Sequence, residues 1–139
     1  MAQDPDCIFC KIVAGKIPCF KVHEDGETLA FLDINPVHDG HCLVIPKAHY
    51  PTVFETPPDV VAAVARSTVK VANAVKRAVA LDGLNLLQAN GPGAAQSVMH
   101  FHIHILPRRR DDELKMNWTP KPGDGAHIAK IADRIRSAL

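Results

Sequence analysis

The sequence has no apolar run approaching the roughly 20 residues that a bilayer-spanning helix requires. Its first residues, MAQDPDCIFC, lack the basic and apolar regions of a secretory signal. Both absences speak against a membrane or exported protein and make a cytoplasmic one the expectation. An excess of either charge is lacking too: 16 Lys and Arg against 15 Asp and Glu leave a net +1. Such a balance exerts no general pull on nucleic acid or an anionic membrane, so recognition of phosphate has to come from local groups. No low-complexity tract, internal repeat or long linker interrupts the chain. What is there, 139 residues of which 47% are hydrophobic and 22% charged, suits one globular domain over residues 1–139. Without an export signal, the four cysteines read as thiols or metal ligands rather than two disulfides.

Ile8, Phe9, Ile12 and Val13 fall at helical spacing before Gly15, which predicts a short helix stopped by glycine and bearing Cys7 and Cys10. From Val22 the pattern changes to short apolar runs broken by turn residues, Thr28 to Leu32 and His41 to Ile45, which predicts antiparallel strands. Val61, Val64, Val71, Val75 and Val79 share a face opposite Arg66, Lys70, Asn73 and Arg77, so residues 60–81 are expected to form the main helix. The prolines at Pro51, Pro57, Pro58, Pro120 and Pro122 read as loops. Two more strands are expected over 84–88 and 100–106, and a last helix from about Gly125 to Leu139. The order is that of an α+β fold, with an antiparallel sheet of about five strands, one long helix and short terminal helices.

The segment His100-Phe101-His102-Ile103-His104-Ile105-Leu106 carries the chemistry. A strand repeats its side-chain direction every two residues, so His100, His102 and His104 face one way. Phe101, Ile103 and Ile105 face the other and can pack beneath the long helix. A solvated polar face is the plain alternative. A second alternative is a catalytic metal, because an i, i+2 histidine pair can chelate zinc. The loop Asn90-Gly91-Pro92-Gly93-Ala94-Ala95-Gln96 lies just before, and its glycines let backbone N–H groups approach phosphate oxygens, although a hairpin turn uses the same residues.

The run H-F-H-I-H-I-L after Gln96-Ser97-Val98 resembles the signature of the histidine triad (HIT) family. The likeness extends through Cys7-Ile8-Phe9-Cys10-Lys11-Ile12, Ala30-Phe31-Leu32-Asp33-Ile34-Asn35-Pro36 and Gly40-His41-Cys42-Leu43-Val44-Ile45-Pro46-Lys47, covering most of residues 7–107 and favouring the bacterial zinc-containing branch. The tail over 108–139 is weakly informative. The resemblance implies a nucleotide hydrolase in which His102 attacks the α-phosphorus of a purine nucleoside phosphoramidate or related mixed phosphate. The nucleoside monophosphate is then released from a nucleotidyl-histidine intermediate, with no metal needed for the chemical step. It also implies that His104 contacts the phosphate, that Ser97 lies near the leaving group and that His41 supports the site. Asp33 would bind the ribose, with Phe9, Phe31 and Ile34 in the base cleft, though those three equally suit a core. Asn90 and Gln96 are expected near the nucleotide. Ala89 and Ala95 depart from the family, which commonly has an amide and a glycine there.

C-x-x-C alone is redox-active, metal-binding or incidental. The resemblance implies a structural zinc site of Cys7, Cys10, His49 and His100, and a homodimer in which two sheets join. Cys19 and Cys42 have no recognisable spacing, and His23, His38 and His127 read as surface residues. Leu106-Pro107-Arg108 and the basic run to Arg110 suggest an alternative, dinucleoside polyphosphate hydrolysis, or simply a solvated strand exit. A nucleotide-binding regulatory adaptor is the reading from another class.

Overall fold

A computed structural model describes residues 2–139. Helix α1 (Ile8–Val13) precedes strands β1 (Lys21–Glu24), β2 (Thr28–Leu32) and β3 (Cys42–Pro46). The long helix α2 (Pro58–Ala78) follows, then β4 (Gly83–Leu87), a short 3₁₀ turn (Pro92–Ala94), β5 (Ile103–Arg108) and α3 (Gly125–Ser137). The five strands make one antiparallel sheet in the order β1-β2-β3-β5-β4, giving the expected α+β architecture.

The period of two in β2 and β3 divides the core between the two faces of the sheet. Ala30, Cys42 and Val44 point to one face, where they meet Val64, Val71 and Val75 of α2 together with Phe101 and Ile105. Leu29, Phe31, Leu43 and Ile45 point to the other and pack on Phe9, Cys7 and Cys10 at α1. Full burial of a side chain such as Val64 or Ile105 stabilises the fold by about 1.5–3 kcal/mol. Strand β5 pairs Leu43 with His104 and Cys42 with Ile105. That register sends the triad histidines to the α1 face and Phe101 and Ile105 to the α2 face.

Two expectations need correction. Helix α2 begins at Pro58 rather than 60 and ends at Ala78, where Val79 turns extended. Pro57 and Pro58 therefore open the helix instead of merely forming a loop, because a proline in the first turn forfeits no intrahelical bond. Strand β5 begins at Ile103 rather than His100. Pro46 ends β3 and has no N–H, so the ladder cannot continue; the Phe101 N–H instead donates to the Tyr50 carbonyl at 2.6 Å. The alternation of side chains survives that change of partner.

Gly15 takes φ +74° after α1, where its N–H reaches the Ile12 carbonyl at 3.0 Å and closes the helix. Gly40 takes φ +88° in the turn whose His41 N–H bonds the His38 carbonyl at 3.1 Å. Helix α3 is capped by the Asp124 carboxylate on the His127 N–H and has no buried residue. Among the described residues no helix is long and apolar enough to cross a membrane.

Candidate active site and metal centre

Backbone groups from three segments set the protonation pattern of the histidine row. The His102 Nδ1–H donates to the His100 carbonyl at 2.6 Å. Its proton is thereby fixed on Nδ1, and the Nε2 lone pair is free. His102 is 2% exposed, and the Phe9 ring meets it edge-on at 5.3 Å. Burial lowers its pKa, which keeps the ring neutral near pH 7.

The second pattern begins at Val37, whose N–H donates to His41 Nδ1 at 3.1 Å. A neutral His41 then carries its proton on Nε2, which lies 3.0 Å from His104 Nδ1. His104 accepts there and so holds its own proton on Nε2. Burial pushes His104 down to about 4 and lowers His41 as well. Of His102 and His104, His102 thus offers a free lone pair, beside an N–H donor on His104. Asp33 completes the group: Oδ1 accepts the Asn35 N–H at 2.8 Å, while Oδ2 stands 3.5 Å from His41 Nε2.

These groups open on a cavity of about 390 Å³ lined by Asp33, Ile34, Ser97, His102 and His104, with Phe9 and Phe31 among its apolar walls. A larger cavity of about 580 Å³ beside Pro36, Ala80 and Arg109 has no triad histidine in its lining.

His100 faces away from this cavity. Its Nε2–H donates to the Pro46 carbonyl at 2.8 Å, so Nδ1 presents a lone pair. That atom lies 3.4 Å from Cys7 Sγ, 3.7 Å from Cys10 Sγ and 3.2 Å from His49 Nδ1, and Cys10 Sγ is 3.4 Å from His49 Nδ1. With Zn–N near 2.1 Å and Zn–S near 2.3 Å, the edges of a tetrahedral Cys₂His₂ site are about 3.3–3.8 Å. The four side chains fit zinc in spacing and in donor type. Cys7 also caps α1, its sulfur accepting the Cys10 N–H, and the Asp4 N–H reaches Cys10 Sγ at 3.4 Å. Burial pushes the Cys10 thiol up, so a cation is needed there to hold a thiolate. The Asp4 carboxylate, 3.8 Å from His49 Nε2, can orient that ligand from behind.

Residues 14–111 match the family described as HIT domain. The chain belongs to the HIT family. Among its relatives, the adenylylsulfatase HINT3 of Arabidopsis thaliana is 50% identical over 109 residues, covering 78% of this chain and 55% of that protein. The chain thus spans about half the length of that relative. The adenosine 5'-monophosphoramidase HNT1 of Candida albicans is 33% identical, with 100% of this chain and 95% of that one covered. A crystal structure from Streptococcus mutans superposes with a TM-score of 0.94 at 39% identity, covering 99% and 87% of the two chains. A zinc-bound histidine triad protein from Mycobacterium smegmatis gives 0.75 at 36% identity, covering 96% and 98%. The matched HIT region begins after Cys7 and Cys10.

In this HIT domain Asp33, His102, His104 and Ser97 line one cavity with His41 hydrogen-bonded to His104, and Cys7, Cys10, His49 and His100 form a second cluster. Phe9 and Phe31 are both core and cleft wall, while Ile34 is 77% exposed at the rim. Asn90 and Gln96 turn elsewhere. Gln96 accepts the Gly91 N–H at 2.7 Å and donates to the Pro51 and Val98 carbonyls. Asn90 exchanges bonds with Gln88 and accepts the Val53 N–H at 2.7 Å. Both amides brace the loop. The N–H groups of Gly91, Ala94, Ala95 and Gln96 are likewise committed within it, so the expected phosphate cradle is not made by these four. Ala95 holds φ 60° where the family commonly has glycine. His23 and His38 are half-buried beside Asp25 and Asp112 at 3.5 Å, and His127 is exposed. Sequence reasoning missed Ile12, Ile17, Cys19 and Leu43 as cavity walls; only the helical spacing of Ile12 with Phe9 hinted at one of them.

Proposed function

We propose that this HIT protein is a nucleotide hydrolase in which His102 Nε2 attacks the α-phosphorus of a purine nucleoside phosphoramidate or a related mixed phosphate. The observation that carries this reading is the free Nε2 lone pair of buried, neutral His102, which lines the cavity and has its other nitrogen tied to a carbonyl. As the N–P bond to His102 forms, the bond to the leaving group breaks, and the positive charge on the ring is met by the His100 carbonyl oxygen. His104 Nε2–H faces the developing charge on phosphate oxygens, and Ser97 lies where it can supply a proton to the leaving amine. Water then cleaves the N–P bond and releases AMP or GMP. Asp33 accepts hydrogen bonds from the ribose hydroxyls, and the base lies between the apolar walls. The names of the phosphoramidase and adenylylsulfatase relatives agree with this class of substrate.

Zinc held by Cys7, Cys10, His49 and His100 supplies structure: it ties α1 to the segment that carries His102. The four ligands leave no open position for substrate. The Arg108 guanidinium is taken up by Asp112, Asn85 and the Leu114 carbonyl, so that residue is not free to hold the extra phosphate of the dinucleoside polyphosphate alternative. A homodimer joined through its sheets is part of the proposal. It is supported by the free edge of β4 with exposed Leu86, and light scattering tests it.

The deciding experiment is mass spectrometry after brief mixing with adenosine phosphoramidate. An AMP adduct on the wild type, absent from His102→Ala, is expected together with loss of turnover in the variant. Turnover that persists in His102→Ala overturns the assignment. A regulatory adaptor role requires that cellular function outlive the lost turnover.

A further inference from the structure

Asp33 follows β2, His41 precedes β3 and His104 stands in β5, so the sheet brings these three side chains close together. One donor atom from each of Asp33, His41 and His104 lies within 4.8 Å of the other two. Two of the spacings are short, at 3.0 Å between the imidazole nitrogens and 3.5 Å between Asp33 and His41. Two nitrogens bound to one zinc at about 2.1 Å stand about 2.9–3.4 Å apart for angles between 90° and 110°. A pair of imidazoles with one carboxylate is a donor set that borderline divalent cations take, with positions left open to solvent or an anion. His41 is 4% exposed and backed by the β2–β3 pairing, so the group is held in place before any ion arrives.

We propose that Asp33, His41 and His104 form a second site for zinc or a similar divalent cation, and that its occupation shuts the nucleotide cleft. The blocking half of this inference rests on the function proposed above, since it takes Asp33 from the ribose hydroxyls. The binding half stands on the donor geometry alone. One internal cost ranks the site below the Cys₂His₂ cluster. The proton on His41 Nε2 has to move to Nδ1 before Nε2 can coordinate, and the Val37 N–H then loses its acceptor. The proton stays on the ring, so none is released. Two sulfur ligands and the His100 Nδ1 lone pair, preset by the Pro46 carbonyl, favour the Cys7 cluster. The first equivalent of zinc therefore fills the structural site, and only excess metal reaches the cleft.

The test is equilibrium dialysis of the zinc-loaded full chain against free zinc raised stepwise, to about a hundredfold above the level that fills the first equivalent, with metal per chain read by atomic emission. The wild type is expected to take up a second equivalent that AMP displaces. Asp33→Asn and His41→Gln should each retain the first equivalent, which also reports that they are folded, and lose the second. His23→Gln, outside the cluster, should keep both. In adenosine phosphoramidate hydrolysis, added zinc should raise KM severalfold and leave kcat unchanged. A wild type that stays at one equivalent throughout, or a second equivalent that survives in both cluster variants, overturns the site. If the metal behaves as stated but no AMP adduct ever forms on His102, the function proposed above fails and this binding site stands. If the adduct forms and only one equivalent binds, the second site alone fails.

Discussion

Replacing Gly40 by alanine separates the two reasons for a glycine at that turn. Gly15 provides the control, because both residues hold φ well above zero, at +88° and +74°. A left-handed conformation costs an L-residue about 1–2 kcal/mol, and the reduced freedom of the unfolded chain returns about 0.4–1 kcal/mol. Gly15→Ala should therefore lose about 1 kcal/mol, since a Cβ there meets nothing within 4 Å. At Gly40 a Cβ would stand 3.0 Å from Val75 Cγ1, 3.1 Å from Val79 Cγ2 and 3.3 Å from Pro107 Cγ. These atoms belong to the end of α2 and to β5, and Val75 is in the core. Overpacking of this kind costs a further 1–3 kcal/mol or so. Urea unfolding of both variants at one protein concentration measures the difference. With a slope of about 2 kcal/mol per molar, the Gly40→Ala midpoint should fall about 1 M below that of Gly15→Ala. Equal midpoints would refute the packing argument and show that the end of α2 yields freely.

Asp25 accepts the N–H groups of Glu27 and Thr28 at 2.8 Å each and the Ser67 hydroxyl at 3.2 Å. Burial alone would raise its pKa, but these bonds outweigh burial and hold it well below the usual carboxylate range. A depressed folded pKa stabilises the fold above the unfolded value, near 3.9, and that contribution is lost as pH falls through the folded one. Asp25→Asn should therefore lower the urea midpoint more at pH 7 than at pH 3, and a gap that widens in acid counts against the network. Ala95→Gly should raise stability by about 0.5–1 kcal/mol, because relief of the left-handed strain exceeds the entropic cost; a lower thermal midpoint would show that the alanine methyl is needed. Removing zinc with a chelator, or substituting Cys7→Ser, should drop metal content and melting temperature together, with turnover persisting below the lowered melting temperature, and a melting temperature unmoved by metal loss refutes the tether.

The alternation of His100, His102 and His104 with Phe101, Ile103 and Ile105 was legible because strand periodicity survives even where the ladder partner changes. The clustering of Cys7, Cys10, His49 and His100 was legible only through resemblance, since nothing in C-x-x-C names its remaining partners. The tautomers were not legible at all. They depend on the carbonyls of Pro46 and His100 and on the N–H of Val37, backbone groups that every sequence has and that only the fold brings to a ring. Asn90 and Gln96 show the converse problem: an amide that can bind a nucleotide is equally able to brace its own loop, and composition does not separate the two. The start of α2 was obscured by Pro57 and Pro58, which mark a turn and a helix opening alike.

His100 serves two neighbours at once, its ring nitrogen directed at the metal cluster and its carbonyl at the ring of His102. A cobalt ion substituted for zinc would then act as an optical gauge of the cleft. Whatever tilts His102 pulls on the carbonyl of a residue whose own ring would be a ligand, and the visible bands of the metal would register a nucleotide arriving on the far side of the strand.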